Sequence, residues 1–198
     1  KFINDLCLKI VDLSKNDLSN LQPDILEIIL KNFENQNKYE DIISITNNLT
    51  TKNSVFKKNR ITAFIKLIDK LLAEKLFDYA LEKISLLEKE TTLDDALNRK
   101  AVQCLMVKTL NTDNNNKLDQ TLRYLLAIKD KTQNDNQIIA DIYLKKDDYL
   151  SAIKYLPVLD SIENLRQRLA IYQKLNDTTK TIDILKQIVA KDKSDKLS

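Results

Sequence analysis

The segment Ala140–Leu156, with the sequence ADIYLKKDDYLSAIKYL, carries the strongest fold signal in this chain. It contains two stretches with apolar residues at helical spacing, separated by a short polar turn. Ala140 and Ala152 place one small residue in each stretch, which would let two helices approach closely. Tyr143 and Tyr149 would fill the space beside the turn. The segment therefore predicts two antiparallel helices joined by a tight turn.

Helical spacing of apolar residues extends over nearly the whole chain, and no stretch alternates strictly as a half-buried strand would. Pro23 suits a first helical turn, where its missing N–H costs nothing. Thr92 is the expected N-cap of a helix whose first turn holds Asp94 and Asp95. The predicted helices cover residues 2–14, 23–36, 38–48, 54–74, 76–88, 93–110, 117–129, 134–146, 148–159, 161–175 and 178–191, and the polar tail from Lys191 to Lys196 is expected to fray.

The composition removes several classes of site. The chain has no glycine and two prolines, so it lacks the residue on which tight hairpins, phosphate-binding loops and dinucleotide turns depend. It has no histidine, which excludes Ser–His and Cys–His nucleophilic sites and histidine-bound metals. We therefore predict no catalytic residue, no metal site and no cofactor.

Charge, hydropathy and cysteine content indicate which partners and which cellular compartment to expect. The formal net charge of +3 gives no electrostatic argument for nucleic acid as the main partner. No apolar run reaches the roughly 18 residues needed to cross a bilayer. Cys7 and Cys104 lie far apart in apolar helical contexts, which favours two buried thiols over a disulfide. These features favour a cytoplasmic or otherwise intracellular protein.

The segment around residues 134–160 resembles a tetratricopeptide repeat (TPR). That family's order of a small residue, an aromatic, a polar turn, a second aromatic, an alanine and a large apolar residue is matched here by Ala140, Tyr143, Asp147-Asp148, Tyr149, Ala152 and Leu156. Other segments match less completely. Their alanine-like positions are Ile42, Ala80, Thr121, Ala152 and Thr181, with a mean interval of (181 − 42)/4, about 35 residues, close to the roughly 34 of this repeat class.

The resemblance, which extends as architecture over residues 23–191, implies an all-α fold. We expect a right-handed α-solenoid of about five antiparallel helix pairs, a TPR-like superhelix. Residues 1–198 are expected to form a single helical-repeat domain, and the sequence, which begins at a lysine, reads as a fragment of a longer chain. Sel1-like, clathrin-type or proteasome-lid-type arrays and a non-repeating helical bundle remain alternatives.

In TPR proteins the first helix of each pair lines a groove that holds a peptide or a partner helix. The resemblance assigns the groove-facing positions to Lys66, Asp69, Gln137, Asp141, Lys145, Arg166, Gln173 and Lys174. The alternative is that these side chains form the solvated faces of amphipathic helices. Ile138 and Gln167 stand where the family's carboxylate clamp needs asparagine or arginine, which disfavours a receptor for carboxyl-terminal tails.

Three other patterns have simpler explanations than a site. The basic run Lys57–Arg60 is interpreted as a solvated helix end, because no aromatic residues are interleaved for base stacking. The segment Asp113–Asp119 lacks the glycine and closing glutamate of a calcium loop. The pairs Asp94-Asp95 and Asp147-Asp148 are explained by helix capping.

The predicted function is a non-enzymatic protein–protein interaction scaffold that binds a partner peptide or helix along the solenoid groove, within a multi-subunit complex. Two alternatives remain: an RNA-binding helical-repeat protein that reads single-stranded bases, and the regulatory solenoid region of a larger enzyme. The modest charge and irregular repeat spacing disfavour RNA.

Overall fold

A computed structural model describes residues 2–13, 18, 21–47, 49, 54–109, 115–158 and 161–195. All regular structure in this part of the chain is helical, as predicted. The helices are α1 (Phe2–Leu13), α2 (Pro23–Asn35), α3 (Tyr39–Thr46), α4 (Ser54–Ala73), α5 (Phe77–Glu88), α6 (Asp95–Thr109), α7 (Asn115–Ala127), α8 (Gln133–Lys145), α9 (Tyr149–Tyr155), α10 (Ile162–Lys174) and α11 (Thr178–Asp195).

Most helix boundaries lie within two residues of the prediction, and the ends of α9 and α11 each differ by four. Helix α9 ends at Tyr155 because Pro157 forces Leu156 into an extended conformation (φ −61°, ψ 120°). Helix α7 begins at Asn115, two residues earlier than predicted, and α11 continues to Asp195 instead of fraying from Lys191. Pro23 is the first residue of α2, as expected.

The chain divides into two compact units, unit 1 (Lys1–Leu93) and unit 2 (Asp94–Ser198). In unit 1, α2 is followed by α3, and α4 packs against both α3 and α5. In unit 2, the pairs α6/α7, α8/α9 and α10/α11 each pack together. This arrangement confirms a TPR-like helical-repeat fold of five helix pairs within the described residues. The single domain over residues 1–198 stays a prediction.

Four helix pairs are joined by the same turn. Asn37, Lys75, Asp147 and Asn176 all adopt left-handed backbone angles, with φ between 54° and 59°. In each turn the next N–H reaches back to close the first helix, as in the 2.9 Å bond from the Asp148 amide to the Tyr143 carbonyl. This is the Schellman motif, which usually ends in glycine. A chain without glycine builds it with asparagine, aspartate and lysine.

The apolar stripes of the paired helices form the cores. In unit 1, Ile29, Phe33, Ile42 and Phe56 belong to one buried cluster that also includes the Cys7 thiol. In unit 2, the small residues Ala140 and Ala152 are fully buried between α8 and α9. Cys7 and Cys104 are both buried thiols that form no disulfide, as predicted.

Two predicted roles at helix starts are wrong. Asp94, not Thr92, caps α6, because its carboxylate accepts the Leu97 N–H at 2.8 Å. Arg60 is not part of a solvated helix end. Its side chain is only 9% exposed and is held by Glu90, with both carboxylate oxygens 2.8 Å from Nε. A run of basic residues does not show which of its side chains is buried.

Candidate protein-binding cleft

A cleft of about 280 Å³ lies in unit 1 between α2 and α4, with α3 at its base. Each wall is one helical face, since residues three and four apart lie above one another. Its lining consists of Glu27, Leu30, Lys31 and Glu34 from α2, Tyr39 and Ile42 from α3, and Asn59, Thr62, Ala63 and Lys66 from α4. The cleft therefore has an apolar base and polar walls.

The two walls are joined by an ion pair between the Lys66 ammonium and the Glu34 carboxylate. Both side chains are 43% exposed, so each can also meet a ligand. The hydrogen bond to Glu34 raises the pKa of Lys66 above its usual value. Lys66 therefore stays cationic throughout the neutral range.

The cleft offers the groups that recognise a polypeptide. Asn59 can both donate to and accept from a peptide backbone, and the Thr62 hydroxyl can do the same. Lys31 and Glu27, one turn apart on α2, can pair with side chains of either charge. The buried Leu30 and Ala63 provide apolar contact beneath them.

The predicted groove residues of unit 1 fall in two places. Lys66 lines the cleft. Asp69 is exposed on α4, three residues further along the helix and outside the cleft lining. Sequence reasoning therefore placed one of its two unit 1 candidates in this cleft.

The predicted residues of unit 2 form two separate stripes. Gln137, Asp141 and Lys145 follow one another at intervals of four along α8, and the Gln137 amide donates to the Asp141 carboxylate at 2.9 Å. Arg166, Gln173 and Lys174 are exposed on α10. A role for these six side chains in binding stays a prediction.

Sequence reasoning missed most of the cleft. Glu27, Lys31 and Glu34 on α2, and Asn59 and Thr62 on α4, were not among the candidates. Their spacing, at intervals of three and four, marks each set as one helical face. The sequence shows two polar faces, but it does not show that they face each other.

The capping role predicted for the acidic pairs holds for one member of each, Asp94 on α6 and Asp148 on α9, and not for Asp95 or Asp147. Asp148 accepts the Ser151 N–H at 3.0 Å, and Asp147 accepts the Tyr149 hydroxyl at 2.7 Å. Asp95, beside the cap Asp94, holds the loop before α8 by accepting the N–H groups of Lys129 and Asp130, each at 2.9 Å. Each of the four carboxylates thus accepts a hydrogen bond within unit 2, and Asp95 does so from residues 34 and 35 positions away.

The described part of the chain has neither a metal-binding cluster nor a helix able to span a membrane. It contains no group of three or more acidic or cysteine side chains arranged to hold a metal ion. In the calcium-like segment, residues 113 and 114 lie outside the described residues, whereas Asn115 to Asp119 belong to α7. No described helix combines the length and apolarity required to cross a membrane.

Comparisons with known proteins give a likeness in structure and none in sequence. No protein-family model and no curated protein sequence matches this chain. The chain is similar in structure to the crystal structure of YrrB, described as a TPR protein with an unusual peptide-binding site, at 10% sequence identity and a TM-score of 0.48. The similarity covers 93% of this chain and 91% of that one.

Proposed function

We propose that this chain is a non-enzymatic interaction scaffold that binds an extended peptide or a helix of another protein in the α2–α4 cleft. The observation that carries the proposal is the pairing of two polar helical faces across an apolar base. A TPR-like array presents such faces side by side, and a peptide laid between them contacts both.

The chemistry of the lining favours a peptide over a small apolar ligand. Four of the ten lining residues are charged, and they are balanced as two lysines and two glutamates. A peptide carries backbone amides and charged side chains that can satisfy such groups, whereas an apolar molecule would leave them desolvated and unpaired. Specificity would come from the order of charges along the peptide.

The stripes on α8 and α10 belong to the same proposal as additional contacts. Gln137, Asp141 and Lys145 offer an amide, a carboxylate and an ammonium along one face of α8. These three side chains on a first helix would contact further residues of a bound partner. We also propose that the chain serves as a subunit of a complex inside the cell.

The test begins with a photo-crosslinking residue at Thr62, which is exposed and lines the cleft. The same residue at Glu82, exposed on α5, serves as the control. In extracts of the source cell we expect a defined protein adduct from position 62 that is absent from position 82. Mass spectrometry of the adduct identifies the partner peptide.

Direct binding of that peptide then tests the ion pair. Lys66→Glu places two carboxylates together in the cleft, and we expect affinity to fall at least about tenfold in fluorescence anisotropy. Lys83→Glu is the matched control, because Lys83 is also paired with a glutamate but lies on α5. Equal losses in both variants would contradict the proposal. An adduct containing RNA instead of protein would favour the RNA-binding alternative.

A further inference from the structure

The four charged residues that line the α2–α4 cleft are not equivalent. Glu34 and Lys66 neutralise each other by direct contact. Glu27 and Lys31 are exposed and take part in none of the ion pairs formed among the described residues. The cleft therefore presents one carboxylate and one ammonium that have no ion-pair partner of their own.

The lining residues also show the direction of the two walls. Glu34 and Lys66 meet across the cleft, and each is the last lining residue of its helix. Both walls therefore extend from this pair toward the starts of α2 and α4, so they run in the same direction. Glu34 and Lys66 are 32 residues apart, and the same separation places Glu27 opposite Asn59. Along the cleft the order is thus an acidic position, a basic position and a neutral pair.

The width of the cleft favours an extended segment over a helix. The walls lie close enough for the Glu34 and Lys66 side chains to meet, whereas a helix with its side chains is about 10–12 Å across. A helix would rest on the rims, away from the buried Leu30 and Ala63 at the base. An extended chain can reach this base, and the Asn59 amide can bond to both the N–H and the C=O of one of its residues.

The spacing of Glu27 and Lys31 matches the repeat of an extended chain. Four residues of a helix span about 6 Å. In an extended segment, residues i and i+2 lie on the same side and about 6.6 Å apart. A basic and an acidic side chain at positions i and i+2 would therefore contact Glu27 and Lys31 together, whereas charges on adjacent residues would point to opposite sides.

The surrounding charges leave this preference in place. Asp24, three residues before Glu27 on α2, is exposed and adds negative charge at the acidic end. Lys58 on α4 has the opposite sign, but it lies outside the cleft lining. Glu27 and Lys31 have the spacing of a pair along one helix, yet a pair of exposed groups contributes little. A ligand that carries both charges gains at both positions.

We infer that the segment bound in this cleft is extended and carries one basic and one acidic residue two positions apart, with the basic side chain at Glu27 and the acidic one at Lys31. This inference rests on the proposed function, because it specifies the peptide that the cleft binds. A segment with its basic residue first runs in the direction of α2, and one with its acidic residue first runs against it.

The experiment selects displayed random peptides on the 198-residue chain. Peptides that also bind the Thr62→Trp variant, in which a bulky side chain fills the cleft, are removed first. The remainder should be enriched in opposite charges at positions i and i+2, and not at the helical spacing of i and i+4. Glu27→Lys should select two acidic residues at this spacing, and Lys31→Glu two basic ones. The matched controls on α5, Glu82→Lys and Lys83→Glu, should select the same peptides as the unchanged chain.

Fluorescence anisotropy of one selected peptide measures the effect. Glu27→Lys should weaken binding at least about fivefold, and replacing the basic residue of the peptide by glutamate should restore it. The inference is overturned if the selected peptides lack the charge pair, if both cleft variants select the same peptides as the unchanged chain, or if the altered peptide restores nothing. Peptides that Thr62→Trp excludes would still support the proposed function in those cases. A selection without any such peptide would contradict the proposed function as well.

Discussion

The two units begin their helices in different ways. In unit 2, side chains cap five helices: Asp94 on α6, Thr132 on α8, Asp148 on α9, Ser161 on α10 and Asp177 on α11. In unit 1, the N-cap positions of α2, α3 and α5 are Gln22, Lys38 and Leu76, and none of them makes a side-chain cap bond. The same turn geometry is thus reached with and without caps.

Unit 1 has other means of fixing its helices. Arg60 on α4 donates two hydrogen bonds to the Glu90 carboxylate, which follows α5, and one to the Ile43 carbonyl in α3. Its guanidinium also lies 5.2 Å from the centre of the Phe64 ring. One side chain thereby ties α3, α4 and the end of α5 together. The comparison teaches that helix pairs can be held by local caps or by a single buried cation that spans several elements.

The two buried cysteines allow each unit to be measured by itself. Cys7 is 4% exposed in unit 1, and Cys104 is 2% exposed in unit 2. A thiol must become accessible before it reacts, so its labelling rate under native conditions reports the opening of its own unit. Replacing one cysteine by serine leaves a single reporter.

The largest effect is expected from Arg60→Ala. It leaves Glu90 without its partner and removes the link between three elements, so the free energy of opening at Cys7 should fall by about 2–4 kcal/mol. Labelling of Cys104 serves as the internal reference. Lys146→Ala, which removes the surface ion pair with Asp119, should change either reporter by less than about 1 kcal/mol. If Arg60→Ala and Lys146→Ala lowered the free energy of opening by similar amounts, the role of Arg60 in linking three elements would be contradicted.

Acid should destabilise unit 2 through its caps. Backbone N–H groups of Lys129 and Asp130 lower the pKa of Asp95, the Ser151 side chain and amide lower that of Asp148, and the Lys180 amide lowers that of Asp177. Burial raises the pKa of Asp135, but hydrogen bonds from Arg99 and Thr132 outweigh it and lower the pKa overall.

A carboxylate whose pKa is lower in the folded state stabilises the fold above its unfolded pKa, about 3.9 for aspartate. This contribution is lost as the pH falls below about 4. A pyridyl disulfide reacts with thiols at acid pH. Its rate of labelling Cys104 should rise several-fold as the pH falls from about 5 to about 3, a range that brackets the unfolded pKa of aspartate. Unchanged Cys104 protection over this range would contradict the capping account.

Exchanging caps between the units tests the comparison directly. Ser161→Ala removes the cap bond to the Asn164 N–H and should cost unit 2 about 1 kcal/mol. Leu76 is the N-cap residue of α5, as Asp148 is of α9. Leu76→Asp places a carboxylate within reach of the Tyr79 N–H and should stabilise unit 1 by about 0.5–1 kcal/mol relative to Leu76→Ala. Urea unfolding followed at each cysteine measures both changes. A cap that has no effect in unit 1 would show that its turn is fixed by packing alone.

The smallest effect is expected at the left-handed residue of the α4/α5 turn. Lys75 has φ 59°, a conformation that glycine adopts without the strain of a Cβ atom. Lys75→Gly should stabilise unit 1 by about 0.5 kcal/mol, since part of the gain is offset by the entropy of glycine in the unfolded chain. Asn37→Gly should change little, because asparagine tolerates this conformation. Labelling of Cys7 distinguishes the two variants.

The fold could be predicted because its determinants are local in sequence. Helical periodicity, the polar turn at Asp147-Asp148 and the small residues Ala140 and Ala152 all lie within a single helix pair. The boundary at Leu156 was also readable in principle, since the residue before Pro157 is biased away from helical angles. The cap of α6 was misplaced by two residues, because Thr92 and Asp94 are both good N-cap residues.

The candidate cleft could be predicted only in part. Lys66 was identified through the resemblance, whereas Glu34, its partner, lies 32 residues earlier in the chain. Such a pair depends on how α2 and α4 lie against each other, which no local pattern encodes. The same holds for Arg60, which is buried although Lys57 and Lys58, three and two residues before it, are exposed.

The sequence alone determined that this chain forms paired helices, because each apolar stripe requires a neighbouring helix to cover it and the absence of glycine removes most other turns. Only the tertiary structure decided which polar faces meet across a cleft and which arginine is buried. These outcomes depend on contacts between residues far apart in the chain, and their physical basis is the packing of one helix pair on the next.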